Sequence, residues 1–259
     1  MQDFNCFLST FYRNILVGFD IYCRRGDDDM LIDYALLTCS GYLIYKAVEK
    51  LDPAELLVNK LRKKSKHCLT LGYKRRLGMK CDIVVDMAKT PHCLISGISG
   101  SGKSMMAFNA LKEKENLVLC NAFPTDFKGL KCRRIFKPDK IVEFLTDLVE
   151  NPRYYEDGLW VCIDEGLVLT TSNKKASKAI MDLLAIGRHY NVWVIFLTQT
   201  STKNEIPFKN LFGVRCCLRS VDPSSVSVVL GCNVDVKLNP RQFIVYHTDL
   251  EQGRTYDIK

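Results

Sequence analysis

The stretch LISGISGSGKS, residues 94–104, decides the fold of this chain. It contains the G-x4-G-K-[ST] pattern of a phosphate-binding loop, which runs from Gly97 to Ser104. Glycine lets such a loop adopt positive φ and bring successive backbone N–H groups against a phosphate. An apolar run precedes the loop and a helix-compatible run follows it, as a strand–loop–helix unit requires. The alternative, a flexible Gly/Ser turn, does not explain these flanking runs.

The loop predicts a site for ATP and Mg2+. The helix after the loop directs its positive end at the phosphates. Lys103 would reach the β and γ phosphates as a point charge, and the Ser104 hydroxyl would ligate Mg2+. The predicted nucleotide-binding residues are Gly97, Ile98, Ser99, Gly100, Ser101, Gly102, Lys103 and Ser104.

Two adjacent acids, Asp164 and Glu165, follow the apolar run Leu159–Ile163. A phosphate-binding loop needs a carboxylate for the hydrated metal and, for hydrolysis, a group that activates water. Because consecutive residues at a strand end point in different directions, we predict that Asp164 faces the metal and Glu165 the attacking water. We expect a parallel sheet that carries Lys103 and Asp164 at neighbouring strand tips.

Two further polar residues are candidates for the site, each with a plainer alternative. Gln199 follows the run Val192–Leu197 and could sense the γ-phosphate or orient water. Without the preceding motifs, the simpler interpretation would be a polar residue that ends a strand. Arg188 follows Gly187 at the end of a predicted helix. An arginine there could complete a neighbouring subunit's site as a finger, or it could only satisfy the helix dipole.

The pattern of the chain from about Cys81 onward predicts an α/β fold. Apolar runs alternate with amphipathic segments, which is typical of a mainly parallel sheet flanked by helices. The predicted strands are Cys81–Val85, Cys93–Ser96, Leu117–Asn121, Leu159–Ile163, Val192–Leu197, Val214–Leu218 and Phe243–Tyr246. The predicted helices are Lys103–Lys114, Pro138–Glu150, Lys174–Tyr190 and Pro223–Leu230.

A helical N-terminal extension, residues 1–66, is predicted to precede the ATPase domain, residues 67–259. Within it, residues 30–48 are long enough to span a membrane, but Asp33 and Lys46 interrupt the run, which favours a buried or partner-facing helix. The basic cluster from Lys60 to Lys66 is either a solvated helix face or a contact to DNA or acidic lipid. The expected location is the cytoplasm, with peripheral association at the inner membrane face left open.

Composition supports an intracellular protein with a polyanionic partner. The chain has 259 residues, 47% of them apolar, and a net charge of +8, a basic excess that favours polyanions. Its 12 cysteines contain no C-x2-C pair, and several lie in apolar runs where free cysteine acts as a small hydrophobe. We therefore expect reduced thiols rather than disulfides or a zinc site.

Taken together, these residues resemble the motor domain of the FtsK/SpoIIIE branch of the FtsK–HerA superfamily. The resemblance covers roughly residues 70–250. It rests on a lead-in strand and Pro-His step at 82–92, on Ile163-Asp164-Glu165-Gly166, on Gly187-Arg188 with Thr198-Gln199, and on the strand from Val214 to Ser220. The Arg-Pro that usually follows Thr-Gln is Thr200-Ser201 here.

The resemblance implies a RecA-like P-loop domain that assembles, typically as a hexameric ring, around double-stranded DNA. It also implies that Lys103 and Ser104 bind ATP and Mg2+, that Asp164 holds the metal and that Glu165 activates water. Gln199 would sense the nucleotide and Arg188 would be the finger.

The leading hypothesis is an ATP-driven translocase of double-stranded DNA that serves a mobile element, with a relaxase or another transfer-apparatus protein as a further partner. One alternative is a viral or phage DNA-packaging ATPase. Another is an ATP-binding scaffold with little turnover, against which Glu165 argues because a pure binder needs no water-activating carboxylate.

Overall fold

The fold is described from a computed structural model of the chain, which covers residues 66–76, 79–123, 125–199, 207–220 and 223–257. The predicted extension up to residue 65, including the 30–48 run, lies outside these residues, as do Thr200 and Ser201. The domain boundary at residue 66 therefore stays a prediction. Across the described ranges, no helix has the length and apolar character needed to cross a membrane.

A ten-stranded sheet forms the core, in the order β2-β1-β10-β9-β8-β3-β7-β6-β4-β5. The strands are β1 Cys68–Arg76, β2 Met79–Asp86, β3 Cys93–Ser96, β4 Leu117–Cys120, β5 Arg133–Ile135, β6 Leu159–Ile163, β7 Val192–Thr198, β8 Val214–Leu218, β9 Gln242–Tyr246 and β10 Leu250–Arg254. The helices are α1 Lys103–Leu111, α2 Pro138–Glu150, α3 Gly166–Ser172, α4 Lys174–Ile186 and α5 Pro223–Leu230, with short 3-10 turns at Gly187–Tyr190 and Lys209–Leu211.

The sheet has a parallel part and an antiparallel extension. Strands β8, β3, β7, β6, β4 and β5 run parallel. Strands β9, β10, β1 and β2 continue the sheet as antiparallel neighbours. The carboxyl ends of the parallel strands all meet one edge, which is where ligands bind in open α/β sheets.

Helices cover both faces of the parallel part because its strands are apolar on both sides. Every residue of β3, β4, β6 and β7 is buried, as expected for strands sandwiched between helices. Leu94 packs in the same apolar cluster as α2 and α4, whereas its neighbours Cys93 and Ile95 pack with α1. The α/β class and the mainly parallel sheet are thus confirmed.

Of the three described strands that the sequence did not predict, two are largely polar and the third, β1, is polar in its second half. Strand β5 is only Arg-Arg-Ile, β10 is Leu-Glu-Gln-Gly-Arg, and the end of β1 is Tyr-Lys-Arg-Arg. Each pairs with a neighbour through backbone hydrogen bonds, which side-chain patterns do not reveal. Helix α3 was also missed, since it begins at Gly166 and spans only 7 residues.

One topological expectation was wrong. The strands that carry the phosphate-binding loop and Asp164 are not neighbours, because β7 lies between β3 and β6 and pairs with both. The two tips are therefore two strand spacings apart, about 10 Å. The intervening strand ends at Thr198 and brings Gln199 into the gap.

Most of the cysteines that the structure describes are buried in the core. All nine that the structure describes are free thiols, seven of them buried. Burial raises the pKa of the Cys93 thiol to about 12, so it stays protonated and packs as an apolar group. In the described part of the chain, no cluster of His, Cys, Asp and Glu forms a metal site.

His92 ties the start of β3 to β7. Its ring is fully buried, and Nδ1 accepts a hydrogen bond from the Val194 N–H at 3.1 Å. Burial lowers the pKa of His92 to about 4. The ring is therefore neutral at neutral pH, and protonating it would remove the acceptor that Val194 uses.

We predict that His92 makes the fold acid-sensitive. In the unfolded chain the His92 ring is protonated near pH 6.5, whereas in the folded chain it is protonated only near pH 4. The free energy of unfolding therefore falls as the pH drops through the window from 6.5 to about 4. The loss should be about 3 kcal/mol larger in the wild type than in His92→Asn. Urea unfolding of both proteins across the window measures this difference.

The comparison with the variant is needed because Asp164 titrates in the same range with the opposite sign. Its carboxyl pKa is raised to about 6, which favours the folded state as the pH falls. Equal pH slopes for wild type and His92→Asn would contradict the role given to His92.

Candidate active site

The phosphate-binding loop is held at the sheet edge by backbone hydrogen bonds on two sides. The Gly97 N–H donates to the Thr198 carbonyl of β7 at 3.2 Å, and the Ile98 N–H donates to the Arg219 carbonyl after β8 at 3.0 Å. A side chain at Gly97 would lie 2.9 Å from Leu218 Cβ. The loop therefore needs glycine there to approach β8 closely.

Helix α1 begins directly from this loop with an open N-terminus. Gly102, the residue before it, has φ 107° and makes no side-chain cap, and the first turn contains no acidic residue. The first backbone N–H groups of a helix have no partner within the helix. An uncapped and unscreened helix end of this kind favours an anion.

Lys103 curls over the loop from the first turn of α1. Its ammonium donates to the Gly97 carbonyl at 2.7 Å and to the Ile98 carbonyl at 3.2 Å. Burial lowers the Lys103 pKa, and the nearby charges of Glu165 and Asp164 oppose that shift. Lys103 and the two acids thus interact across the gap between β3 and β6.

Asp164 is held at the tip of β6 by its neighbours. Its backbone N–H donates to the Cys120 carbonyl at 3.0 Å, and its own carbonyl accepts from the Asn121 side-chain amide at 3.0 Å. Burial and the Glu165 charge raise the Asp164 pKa to about 6, although the Glu165 N–H donates to its carboxylate at 3.0 Å. A buried carboxylate with a raised pKa is short of positive charge, which a metal ion would supply.

Glu165 lies in a strained backbone position beside Asp164. Its φ of 46° and ψ of 41° are left-handed, a region that non-glycine residues seldom adopt. The next residue, Gly166, packs under the Phe196 ring, because an added Cβ would lie 2.4 Å from two ring carbons. The sharp turn from β6 into α3 therefore requires this glycine and fixes where Glu165 projects.

Gln199 joins the site through Glu165. Its side-chain amide donates to a Glu165 carboxylate oxygen, so the end of β7 is linked to the end of β6. The structure thus brings Lys103, Asp164, Glu165 and Gln199 to one edge of the sheet. The sequence had singled out all four.

Arg188 does not join this group within the chain. It is exposed in the 3-10 turn that precedes β7, whereas the phosphate-binding loop lies at the other end of that strand. Seven residues of β7 separate the two edges, about 20 Å at the usual rise per residue. Arg188 cannot reach the phosphates of its own chain from there.

The residues present fit ATP with Mg2+. The loop offers an open helix end and a buried lysine, and the Ser101 hydroxyl is buried with no hydrogen-bond partner in the described structure. Ser104 follows Lys103 in the same turn and Asp164 faces the site from β6, so both are available as oxygen ligands. Hard oxygen donors of this kind suit Mg2+.

Several residues that shape the site were not predicted. Asn121 holds the Asp164 carbonyl, and Phe196 sets the turn at Gly166. Gly166, directly after Asp164 and Glu165, was a sequence signal for a tight turn. No sequence pattern indicated that Phe196 would pack against it. Arg241, just before β9, and Thr255, just after β10, also lie beside the loop, and neither belongs to a sequence motif.

Solved structures of known ATPases share this fold. The conjugation coupling protein TcpA of pCW3, in monomer form with ATPγS, has a TM-score of 0.62 at 18% identity, over 76% of this chain and 68% of that chain. The cytoplasmic domain of the type VII secretion ATPase EccC of Thermomonospora curvata has a TM-score of 0.59 at 16% identity, over 73% of this chain and 28% of that one.

These similarities show the fold, a RecA-like P-loop core, and so confirm the fold that the sequence predicted. A third such structure, EssC (ATPases 2 and 3) of Geobacillus thermodenitrificans, shares the fold as well. Its TM-score is 0.58 at 13% identity, over 73% of this chain and 43% of that chain. No protein-family model matches the chain, and no curated protein matches it in sequence.

We predict that Gly166→Ala destabilises the protein by about 1–3 kcal/mol, because the new methyl group overlaps the Phe196 ring. Replacing that ring with the smaller leucine side chain, in the double variant Gly166→Ala/Phe196→Leu, should recover part of the lost stability. Urea unfolding of both single variants and the double variant gives the coupling, which we expect to exceed about 0.5 kcal/mol. Additive losses would mean that the ring does not constrain the turn.

Proposed function

We propose that this chain is an ATP-hydrolysing motor that moves double-stranded DNA, in the service of a mobile genetic element. The proposal is carried by one observation, the convergence of Lys103, Asp164, Glu165 and Gln199 at the carboxyl edge of one sheet. A loop that only held phosphate would not need a second acid beside the metal ligand.

Each residue has a role that follows from its position. Lys103 leaves the Gly97 and Ile98 carbonyls and turns its ammonium to the terminal phosphates, while the backbone N–H groups of the loop and of α1 hold the phosphate oxygens. Ser104 and Asp164 would hold Mg2+, which when bound neutralises charge on the phosphate oxygens. Glu165 accepts the proton of the attacking water.

Gln199 links hydrolysis to the rest of the sheet. Its amide donates to a Glu165 carboxylate oxygen. An amide can instead donate to a phosphate oxygen or to the attacking water, which would release the Glu165 carboxylate for proton transfer. The end of β7 would therefore report whether a terminal phosphate is present.

DNA is the cargo that the charge of the chain favours. The net charge is +8, which suits a polyanion better than a protein substrate. The fold alone does not separate these cargoes, because a conjugation coupling protein and type VII secretion ATPases both have it. The resemblance of the sequence motifs to FtsK/SpoIIIE motors adds to the case for double-stranded DNA.

Subunits would act together, since Arg188 faces away from its own nucleotide. In a ring, one subunit's amino edge of the sheet can approach the next subunit's carboxyl edge. Arg188 would then be a finger that stabilises the charge that develops on the neighbour's phosphates. A hexamer is the ring that the family resemblance suggests.

We predict that double-stranded DNA stimulates ATP hydrolysis by the wild type and that Glu165→Gln abolishes both basal and stimulated turnover. The loss should be about 10²–10⁴-fold, because the amide cannot accept the proton. ATP binding should persist in this variant. Glu143→Gln, a change at an exposed carboxylate on α2, serves as the matched control. Hydrolysis is measured as the release of inorganic phosphate.

Each outcome of that assay has a definite meaning. Tight ATP binding with negligible turnover in the wild type would favour the scaffold. Turnover that DNA leaves unchanged would contradict a DNA motor. Full activity in Glu165→Gln would remove the assigned proton acceptor.

We predict that Arg188→Ala and Lys103→Ala are each inactive alone but regain activity when mixed. The Arg188→Ala subunit keeps its own phosphate-binding loop, and a Lys103→Ala neighbour supplies the arginine it lacks. Arg153→Ala, a change at another exposed arginine, should not alter hydrolysis. Full activity of Arg188→Ala, or an inactive mixture, would contradict a finger role in trans.

A further inference from the structure

The side of the phosphate-binding loop opposite the acids is built from the end of the chain. The Arg241 N–H donates to the Ser101 carbonyl at 3.0 Å, and the Thr255 N–H donates to the Arg241 carbonyl at 2.9 Å. An added Cβ on Gly102 would lie 3.7 Å from Thr255 Oγ1 and 3.8 Å from Arg241 Cα. The segment before β9 and the residues after β10 therefore touch the loop directly.

The residues after β10 then run along α1. The Asn109 side-chain amide donates to the Tyr256 carbonyl at 3.1 Å. The Tyr256 hydroxyl donates to Asp82, and its ring packs against Tyr73 at 5.0 Å between centroids. Both contacts fix Tyr256 to β1 and β2. Asp257, the next residue, reaches back to pair with the Arg241 guanidinium.

The direction of a bound nucleotide follows from the acids. Asp164 directly follows β6, and Glu165 is hydrogen-bonded to Gln199 after β7, so the two acids lie on the β6 and β7 side of the loop and the terminal phosphate of a triphosphate belongs there. The nucleoside at the other end must extend toward β8, β9 and β10. Arg241 and Asp257 lie there.

Fold stability does not explain the Arg241–Asp257 pair. Its side chains are 45% and 73% exposed, and exposed ion pairs contribute little. Arg241 also has a φ of 67°, which is unfavourable for a residue with a long side chain. The Thr255 hydroxyl beside it is buried without a hydrogen-bond partner in the described structure. The pair nonetheless presents a planar cation and a carboxylate next to the loop.

We propose that Arg241 and Asp257 bind the nucleoside of the triphosphate. The guanidinium plane, held by Asp257, lies against the face of the base, a contact that guanidinium groups make readily. The free carboxylate oxygen of Asp257 accepts a hydrogen bond from the ribose hydroxyls, as acidic residues do in other nucleotide sites. The inference rests on the proposed ATP site and adds its specificity for a nucleoside.

Binding of two probes to the full chain tests this, measured by titration calorimetry with Mg2+ present. ATPγS carries the nucleoside, whereas inorganic tripolyphosphate has only the phosphates. We expect Arg241→Gln to weaken ATPγS binding about tenfold and tripolyphosphate binding less than about twofold. Arg241→Lys, which keeps the charge but loses the plane, should behave like Arg241→Gln.

Two further variants complete the test. Asp257→Asn should reduce the preference of the wild type for ATP over 2′,3′-dideoxy-ATP, since the ribose loses its acceptor. Arg254→Gln removes the same positive charge from the neighbouring strand β10, at an exposed arginine, and should change neither probe. Each variant is first shown by circular dichroism to unfold at the temperature of the wild type.

The outcomes separate this inference from the proposed function. Equal weakening of both probes by Arg241→Gln would make Arg241 a general positive charge and overturn the nucleoside role, as would unchanged ATPγS binding. If the wild type binds neither probe, both the ATP site and the nucleoside site are wrong. If tripolyphosphate binds as tightly as ATPγS to the wild type, the phosphate site stands and the nucleoside site falls.

Discussion

The structure depends on the attachment of one glycine-rich loop to the carboxyl ends of two strands. The hydrogen bonds from Gly97 to Thr198 and from Ile98 to Arg219 hold the loop between β7 and β8, and they leave the first turn of α1 facing outward. Side chains would separate the loop from β8. Because the parallel strands all end at this edge, Lys103, Asp164, Glu165 and Gln199 come together there without a long loop to carry them.

Charge balance at this edge is incomplete in the protein alone. Lys103 faces two carboxylates, and burial together with the Glu165 charge raises the pKa of Asp164 even though that lysine opposes the shift. A metal ion with a triphosphate would add both the missing positive charge and the anion that the loop amides need. The strained Glu165 and its bond to Gln199 belong to the same arrangement, since strain persists where surrounding packing over-determines it. Here Phe196 against Gly166 supplies that packing.

The apolar strands could be predicted from the sequence, and so could the site residues that come directly after those strands. Strands such as Leu159–Ile163 were predicted to the residue because burial on both faces leaves a continuous apolar run. Strand order was not predictable in the same way: β7 between β3 and β6 is a consequence of how helices cross over the sheet, which spacing along the chain does not encode. Arg241 and Asp257 had no pattern because they lie outside the strands, at the two ends of the β9–β10 hairpin, and meet the loop through the bond from Arg241 to Ser101, a residue far away in sequence.

The proposed function uses both edges of the sheet and therefore requires more than one subunit. The residues proposed to act on a phosphate lie at the carboxyl edge, and Arg188 lies at the amino edge, one strand length away. A single copy of the chain therefore cannot bring Arg188 to its own phosphate-binding loop. If Arg188 acts, hydrolysis in one copy must depend on the position of the next. That dependence would couple ATP hydrolysis at the loop to relative movement of the subunits. Such movement is what a motor needs in order to pull on DNA.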